Sequence, residues 1–158
     1  LRPYASRPLN SAPMNFNDFT PGQTLTLGPV SLSEAEIIDF ARLWDPQPFH
    51  TDPQWAANSR WKGLIASGWQ TCALTMRTVC EGPLRDSGSI GSPGLEYLKW
   101  NAPVRPGDAL TITLDVRDTG LSSSGKVGKL RWQWRVHNQH GALVLDTIAT
   151  VLFDLAAE

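Results

Sequence analysis

The sequence predicts an α+β fold in which one curved antiparallel sheet wraps around one long apolar helix. Residues 69–81 have the length and apolar content of a buried central helix. From Leu95 onward, apolar and polar residues alternate in runs that turns separate, as in strands with one buried and one wet face. One more strand pattern, at 24–30, precedes the helices.

The length and the net charge of the chain limit the number of domains and the kinds of partner to be expected. The 158 residues suit one domain, which we expect to span 16–158, behind a flexible lead at 1–15. A formal net charge of -1 gives no electrostatic reason to expect nucleic acid or a membrane surface as a partner. No apolar run approaches the length of a membrane span. Cys72 and Cys80 are expected to be buried, reduced thiols, which fits a cytoplasmic protein.

The first helix has a clear start and a clear end. Ser33 and Glu36 have the spacing of a capping box, and Pro46 disfavours helical angles at Asp45, so the helix should end there. Four apolar residues at helical spacing form a stripe that we expect to be buried: Ile37, Phe40, Ala41 and Trp44.

Asp45 and His50 form an acid/base pair in a short segment that contains two prolines. Asp45 follows a helix C-terminus, where the helix dipole opposes negative charge, so we expect a raised pKa for this carboxyl, as suits a general base. Histidine readily exchanges a proton near neutral pH. Either residue alone is more often structural, but the pair together with Gly68 downstream favours catalysis. Asp52 is expected to cap a short helix that Pro53 begins.

Ser67 and Gly68 stand at the start of the central helix, after a loop at 59–66. The first backbone N–H groups of a helix have no intrahelical acceptor and lie at the positive end of the dipole, so Gly68 is a candidate oxyanion donor. Ser67 is either a plain N-cap or a hydrogen-bond donor to substrate. The helix itself should be covered on more than one side.

The second half of the sequence is predicted to consist mainly of β-strands. We expect a surface connector at 83–94, a strand at 95–102, a turn at 103–108, further strands at 110–117 and 130–136, and a last strand at 142–154. Trp132 and Trp134 are expected on the outer surface of their strand. Together with an open sheet edge, this predicts a homodimer in which the two sheets are continuous.

These motifs resemble the MaoC-like dehydratases, the hotdog-fold relatives of (R)-specific enoyl-CoA hydratase. The family signature is Asp-x-Asn-Pro-x-His, followed by Ala-His-Gly before the central helix. This chain has Asp45-Pro-Gln47-Pro48-Phe-His50 and then Ala66-Ser67-Gly68. The resemblance covers about residues 16–154. Two residues depart from it, because Gln47 replaces Asn and Ser67 replaces His.

The resemblance implies that Asp45 and His50 are the catalytic pair and that Gly68 donates to the oxyanion. Gln47 and Ser67 then belong to the substrate-facing wall. Trp61, Trp69 and Trp100 either line an acyl tunnel or pack in the core or an interface. The implied reaction is addition or removal of water across the C2=C3 bond of an acyl-CoA, giving a 3-(R)-hydroxyacyl product. It needs no cofactor other than the coenzyme A that carries the substrate, and no grouping of residues has metal-ligand spacing.

Two other functions stay open at this point. A hotdog thioesterase would direct activated water at the thioester carbonyl and release free thiol. A non-catalytic acyl-CoA-binding subunit with a decayed site would bind ligand without turnover, and the departures at Gln47 and Ser67 keep that reading open.

Overall fold

The computed structural model describes residues 12–156. A single 3-10 turn at Phe16–Asp18 precedes nine elements. They are β1 (Thr24–Val30), α1 (Glu34–Trp44), α2 (Pro48–Thr51), α3 (Pro53–Asn58), α4 (Gly68–Glu81), β2 (Ser89–Lys99), β3 (Leu110–Leu121), β4 (Val127–His137) and β5 (Leu143–Asp154). Most of the expected flexible lead lies outside the described residues. In its last part, the Met14 N–H donates to the Pro83 carbonyl at 3.0 Å.

The strands form one antiparallel sheet in the order β1-β3-β4-β5-β2, which confirms the α+β prediction. Strands β3, β4 and β5 lie in the middle, and each alternates buried with partly exposed residues along most of its length. Leu74 and Val79 of α4 belong to the same buried cluster as Leu114 of β3 and Phe153 of β5. The apolar face of the sheet is therefore closed by the long helix.

The expected outer position of the two tryptophans of β4 is wrong. Trp132 is 0% exposed and Trp134 is 7% exposed, and both belong to the core cluster with Leu130 and Val136. A period of two puts all four on one face, and the alternate residues of β4 are polar or charged. The polar set takes the solvent side, so the tryptophans must face α4.

The apolar stripe of α1 is only partly buried. The capping box at Ser33 and Glu36 is present, and Ile37 and Ala41 are buried as expected. Trp44, by contrast, is 73% exposed. It is the last residue of α1, and the chain turns into α2 before another element can cover it.

Helix α4 is less enclosed than expected. Its buried face carries Gln70, Thr71, Leu74, Thr75, Thr78 and Val79. Each of these threonine hydroxyls has a hydrogen-bond partner within the helix, because it donates to the carbonyl four residues earlier, as Thr75 does to Thr71 at 2.8 Å. The opposite face, which carries Trp69, Ala73, Met76 and Cys80, is exposed. Cys72 and Cys80 are free thiols, but the expectation that Cys80 is buried is wrong.

The connector expected at 83–94 is also partly wrong, because β2 begins at Ser89. Because the first part of β2 pairs irregularly with β5, its sequence lacks the regular alternation that predicts a strand. Register shifts occur around Gly91 and Gly94, whose φ values of 134° and 146° suit glycine. Strand β2 pairs only with β5, so its other side is a free edge of the sheet within the described residues. Within residues 12–156, no helix has the length and apolar character needed to cross a membrane.

Two tryptophan substitutions test this arrangement of the core. Trp132→Ala should lower the free energy of unfolding by about 3–5 kcal/mol, because it empties a fully buried site. Trp44→Ala should change it by about 0.5 kcal/mol or less, because that ring is mostly exposed. Chemical denaturation measures both, and equal costs for the two variants would contradict the assignment of the inner face.

Candidate active site

Asp45 lies where α1 ends, and a second, very short helix carries His50. Asp45 is the C-cap of α1, with φ −153° and ψ 67°. Helix α2 then begins at Pro48 and contains His50 on its single turn. This helix was not among the predicted elements. Its one signal is Pro48 at the first helical position after Gln47, since proline is favoured there.

The segment before α4 lies alongside α2. The Ile65 N–H donates to the Phe49 carbonyl at 3.2 Å, and the Ala66 N–H donates to the Val104 carbonyl at 2.8 Å. Arg105 also supports this segment, because its guanidinium donates to the carbonyls of Trp61 and Leu64. These contacts bring residues 65–68 against the Asp45–His50 segment.

Asp45 is the centre of the polar contacts. Its Oδ2 lies 3.2 Å from His50 Nε2 and accepts a hydrogen bond from Ser67 Oγ at 2.7 Å. Its Oδ1 accepts from Gln47 Nε2 at 2.7 Å. The expected convergence of Asp45 and His50 is therefore present in the structure. Gln47 and Ser67, which we expected on the substrate-facing wall, both bind this carboxylate.

The imidazole of His50 is buried, and its orientation is fixed. Nδ1 lies 2.7 Å from the Ile65 carbonyl oxygen, and because a carbonyl only accepts, Nδ1 must carry the proton. In the neutral ring, Nε2 then presents a lone pair to Asp45. A proton added at Nε2 makes an imidazolium, and the 3.2 Å contact becomes an ion pair. The pair can therefore hold a proton at Nε2 and release it.

The expected raised pKa of Asp45 is wrong. Burial raises this pKa, but the hydrogen bonds from Gln47 and Ser67 and the charge of His50 outweigh it, so the pKa is lowered. The prediction considered only the C-terminus of α1. In the fold, the carboxylate also lies beside Ser67, the N-cap residue of α4, where the dipole favours negative charge. Asp45 is thus held as the anion at neutral pH.

Gly68 begins α4 with its backbone donor available. Ser67 occupies the N-cap position, but its side chain makes no capping bond, and its hydroxyl donates to Asp45. Among residues 12–156, the Gly68 and Trp69 N–H groups have no hydrogen-bond acceptor. The expected oxyanion donor therefore lies one residue beyond the side chain that contacts Asp45.

Trp100, which we expected either in an acyl tunnel or in core or interface packing, covers Gly68. A Cβ on Gly68 would lie 2.5 Å from a ring atom of Trp100. Trp69 meets the same ring edge-on, with centroids 5.0 Å apart. The lack of a side chain at Gly68 therefore allows the indole of Trp100 to lie in close contact with the backbone.

No three His, Cys, Asp or Glu side chains within the described part of the chain are grouped as metal ligands. The groups able to do chemistry here are a carboxylate, an imidazole and a helix N-terminus. Together they can accept a proton, donate a proton and stabilise a developing negative charge.

Comparison with known proteins identifies the family of this chain. The family model of the MaoC like domain matches residues 16–133. The chain belongs to the MaoC-like domain family. The curated relatives of this MaoC-like chain include the uncharacterized protein YdeM of Bacillus subtilis, 31% identical over 88% of this chain and 98% of that protein. They also include the (R)-specific enoyl-CoA hydratase of Rhodospirillum rubrum, 31% identical over 87% of this chain and 90% of that protein.

A solved structure of the MaoC-like dehydratase from Rhodospirillum rubrum superposes with a TM-score of 0.81 at 34% identity. It covers 89% of this chain and 97% of its own. The expected hotdog fold and the resemblance to MaoC-like dehydratases are both confirmed.

The contact between Gly68 and Trp100 can be tested by a double-mutant cycle. Gly68→Ala should lower the free energy of unfolding by about 1–3 kcal/mol, because the new methyl group must displace the indole. Trp100→Ala should then cost less in the Gly68→Ala background than in the wild type. Thermal or chemical unfolding of the four proteins measures this, and additive costs would show that the two residues are not in contact.

Proposed function

We propose that this MaoC-like protein is a hydro-lyase that adds water to, or removes it from, the C2=C3 bond of an acyl thioester. The observation that carries the proposal is the 3.2 Å contact between the Asp45 carboxylate and the His50 imidazole. This pair lies next to a helix N-terminus whose first two N–H groups have no acceptor among residues 12–156. The name of the Rhodospirillum rubrum relative, an (R)-specific enoyl-CoA hydratase, supports the same reaction class.

In the proposed hydration, Asp45 accepts a proton from water as the water oxygen attacks C3. His50, as the imidazolium, donates the proton at Nε2 to C2. Asp45 afterwards gives up the proton that it took from water and Nε2 regains one, so the pair returns to its starting state. The Gly68 N–H binds the thioester oxygen while it carries enolate charge, and a preorganised donor of this kind typically lowers a barrier by about 3 kcal/mol. Dehydration is the reverse sequence. Because both proton transfers involve groups on one side of the substrate, addition is syn. The proposed product is the 3-(R)-hydroxyacyl thioester, which the name of the Rhodospirillum rubrum relative supports.

The proposed substrate is a coenzyme A thioester, and the reaction requires no cofactor beyond it. Each step is a proton transfer or a hydrogen bond that this chain's own residues supply. The proposed location is the cytoplasm, which the free thiols of Cys72 and Cys80 support.

The reaction can be followed as the loss of enoyl-thioester absorbance with a panel of trans-2-enoyl-CoAs. Asp45→Asn and His50→Gln should each lower kcat by on the order of a hundredfold or more, because each removes a proton-transfer group. Asp39→Asn and His140→Gln make the same chemical changes at exposed positions and should retain full activity.

Three outcomes would contradict the proposal. Hydration that survives both Asp45→Asn and His50→Gln would remove the assigned roles. Release of free thiol without hydration would indicate a thioesterase. A ligand-dependent rise in Tm without turnover of any enoyl-CoA would indicate a binding subunit.

We also propose that the protein is a homodimer that joins at β2. This strand is a free edge of the sheet in the described chain, with Ile90 and Leu95 exposed along it. Next to it, an apolar cavity between α4 and β2 is lined by Cys72, Met76 and Leu95 among others, and Met76 is itself exposed. A second copy, related by a twofold axis, would pair the two edges and cover both cavities.

A matched pair of leucine substitutions tests the dimer. Leu95→Lys should give a monomer at micromolar concentration, because it places a charge on the proposed interface. Leu121 has similar exposure, 59% against 52% for Leu95, but lies at the end of β3, so Leu121→Lys should leave the dimer intact. Sedimentation velocity measures both, and a monomeric wild type would refute the proposal.

A further inference from the structure

The two residues that depart from the family signature both bind the carboxylate of Asp45. From this juxtaposition we infer that Ser67 and Gln47 are positioning residues, which hold Asp45 so that Oδ1 is the atom that accepts the proton. The inference rests on the proposed hydro-lyase function and assigns Ser67 and Gln47 a role other than substrate binding.

The hydrogen-bonding capacity of the carboxylate leads to this assignment. An ionised carboxylate has about four acceptor sites, two on each oxygen. When His50 is the imidazolium, Oδ2 uses both of its sites, because Ser67 Oγ donates to it at 2.7 Å and the proton on His50 Nε2 points to it across 3.2 Å. Oδ1 accepts only from Gln47 Nε2, at 2.7 Å, within the described residues. The free acceptor site of Asp45 is therefore on Oδ1, on the side of Gln47.

Ser67 is suited to a positioning role because it is fully buried. Its exposed fraction is 0%, and its single hydroxyl proton is already donated to Asp45. A substrate cannot receive that proton without breaking the contact with the carboxylate. Gln47 is exposed, yet its amide Nε2 also donates to Asp45, to the other carboxylate oxygen. The two donors therefore fix the rotation of the carboxylate between them.

The same two contacts set the charge of Asp45. Burial raises the pKa of this carboxyl, while the bonds from Gln47 and Ser67 and the charge of His50 lower it, with a net lowering. His50 of α2 is the one charged group that acts on Asp45 from the neighbouring described elements. Loss of either donor should therefore raise the pKa of Asp45. The pH at which activity fails on the acid side should rise with it.

The test compares Ser67→Ala and Gln47→Met with a matched control. Ser87 is also buried, and its hydroxyl donates to the Leu84 carbonyl at 2.9 Å, away from Asp45, so Ser87→Ala removes an equivalent hydroxyl elsewhere. Each of the first two variants should lower kcat about tenfold with KM unchanged, as expected for loss of one hydrogen bond to a charged group. The acid limb of the pH profile should move to higher pH. Ser87→Ala should behave as the wild type.

A readout without turnover separates this inference from the proposed function. The carboxyl carbon of Asp45, assigned by its absence in Asp45→Asn, can be titrated by ¹³C NMR. Its midpoint should be higher in Ser67→Ala and Gln47→Met than in the wild type, and unchanged in Ser87→Ala. If the wild type hydrates no enoyl-CoA, the proposed function fails. The titration still decides whether Ser67 and Gln47 lower the pKa of Asp45.

An unchanged midpoint in Ser67→Ala would overturn the inference. A rise in KM with kcat and the pH profile unchanged would also overturn it, because that pattern belongs to residues that bind substrate.

Discussion

The hydrogen bond from His50 Nδ1 to the Ile65 carbonyl is a buried link between the two halves of the site, and it orients the imidazole. It joins the turn of α2 to the segment that begins α4, at 2.7 Å and in a buried position. Without this acceptor, the imidazole would bury a donor with no partner, at a cost of about 1–3 kcal/mol. The same bond fixes which nitrogen faces Asp45. The proposed proton transfer therefore depends on a contact with the backbone of a loop.

The position of Asp45 combines an unfavourable and a favourable helix end. It follows the C-terminus of α1, where the dipole opposes its charge, and it contacts Ser67 at the N-terminus of α4, where the dipole favours it. Ser67 serves the carboxylate rather than its own helix, so α4 begins without a side-chain cap. The N–H of Gly68, the first of the helix, has no acceptor among residues 12–156 and is available to a substrate oxygen. One serine thus links the base to the proposed oxyanion donor.

Local sequence rules predicted those features that depend on neighbouring residues. The Ser33–Glu36 capping box, the end of α1 at Asp45 and the cap of α3 by Asp52 were all visible in the sequence. Periodicity identified which residues of β4 share a face, but not which face points inward, and so Trp132 was placed outside. The bond from Ser67 to Asp45 joins residues 22 positions apart, and only tertiary packing brings them together. For that reason, neither the direction of the Asp45 pKa nor the contact of Trp100 with Gly68 could be predicted.

The most direct test of this account is the position of the proton on His50. In ¹⁵N-labelled protein, the ring nitrogens report which of them carries hydrogen when the imidazole is neutral. The account predicts a proton on Nδ1, donated to the Ile65 carbonyl, and a bare Nε2 that faces Asp45. A neutral ring with its proton on Nε2 would contradict it. Nδ1 would then have no proton to donate to the Ile65 carbonyl, and that hydrogen bond could not be what orients the imidazole.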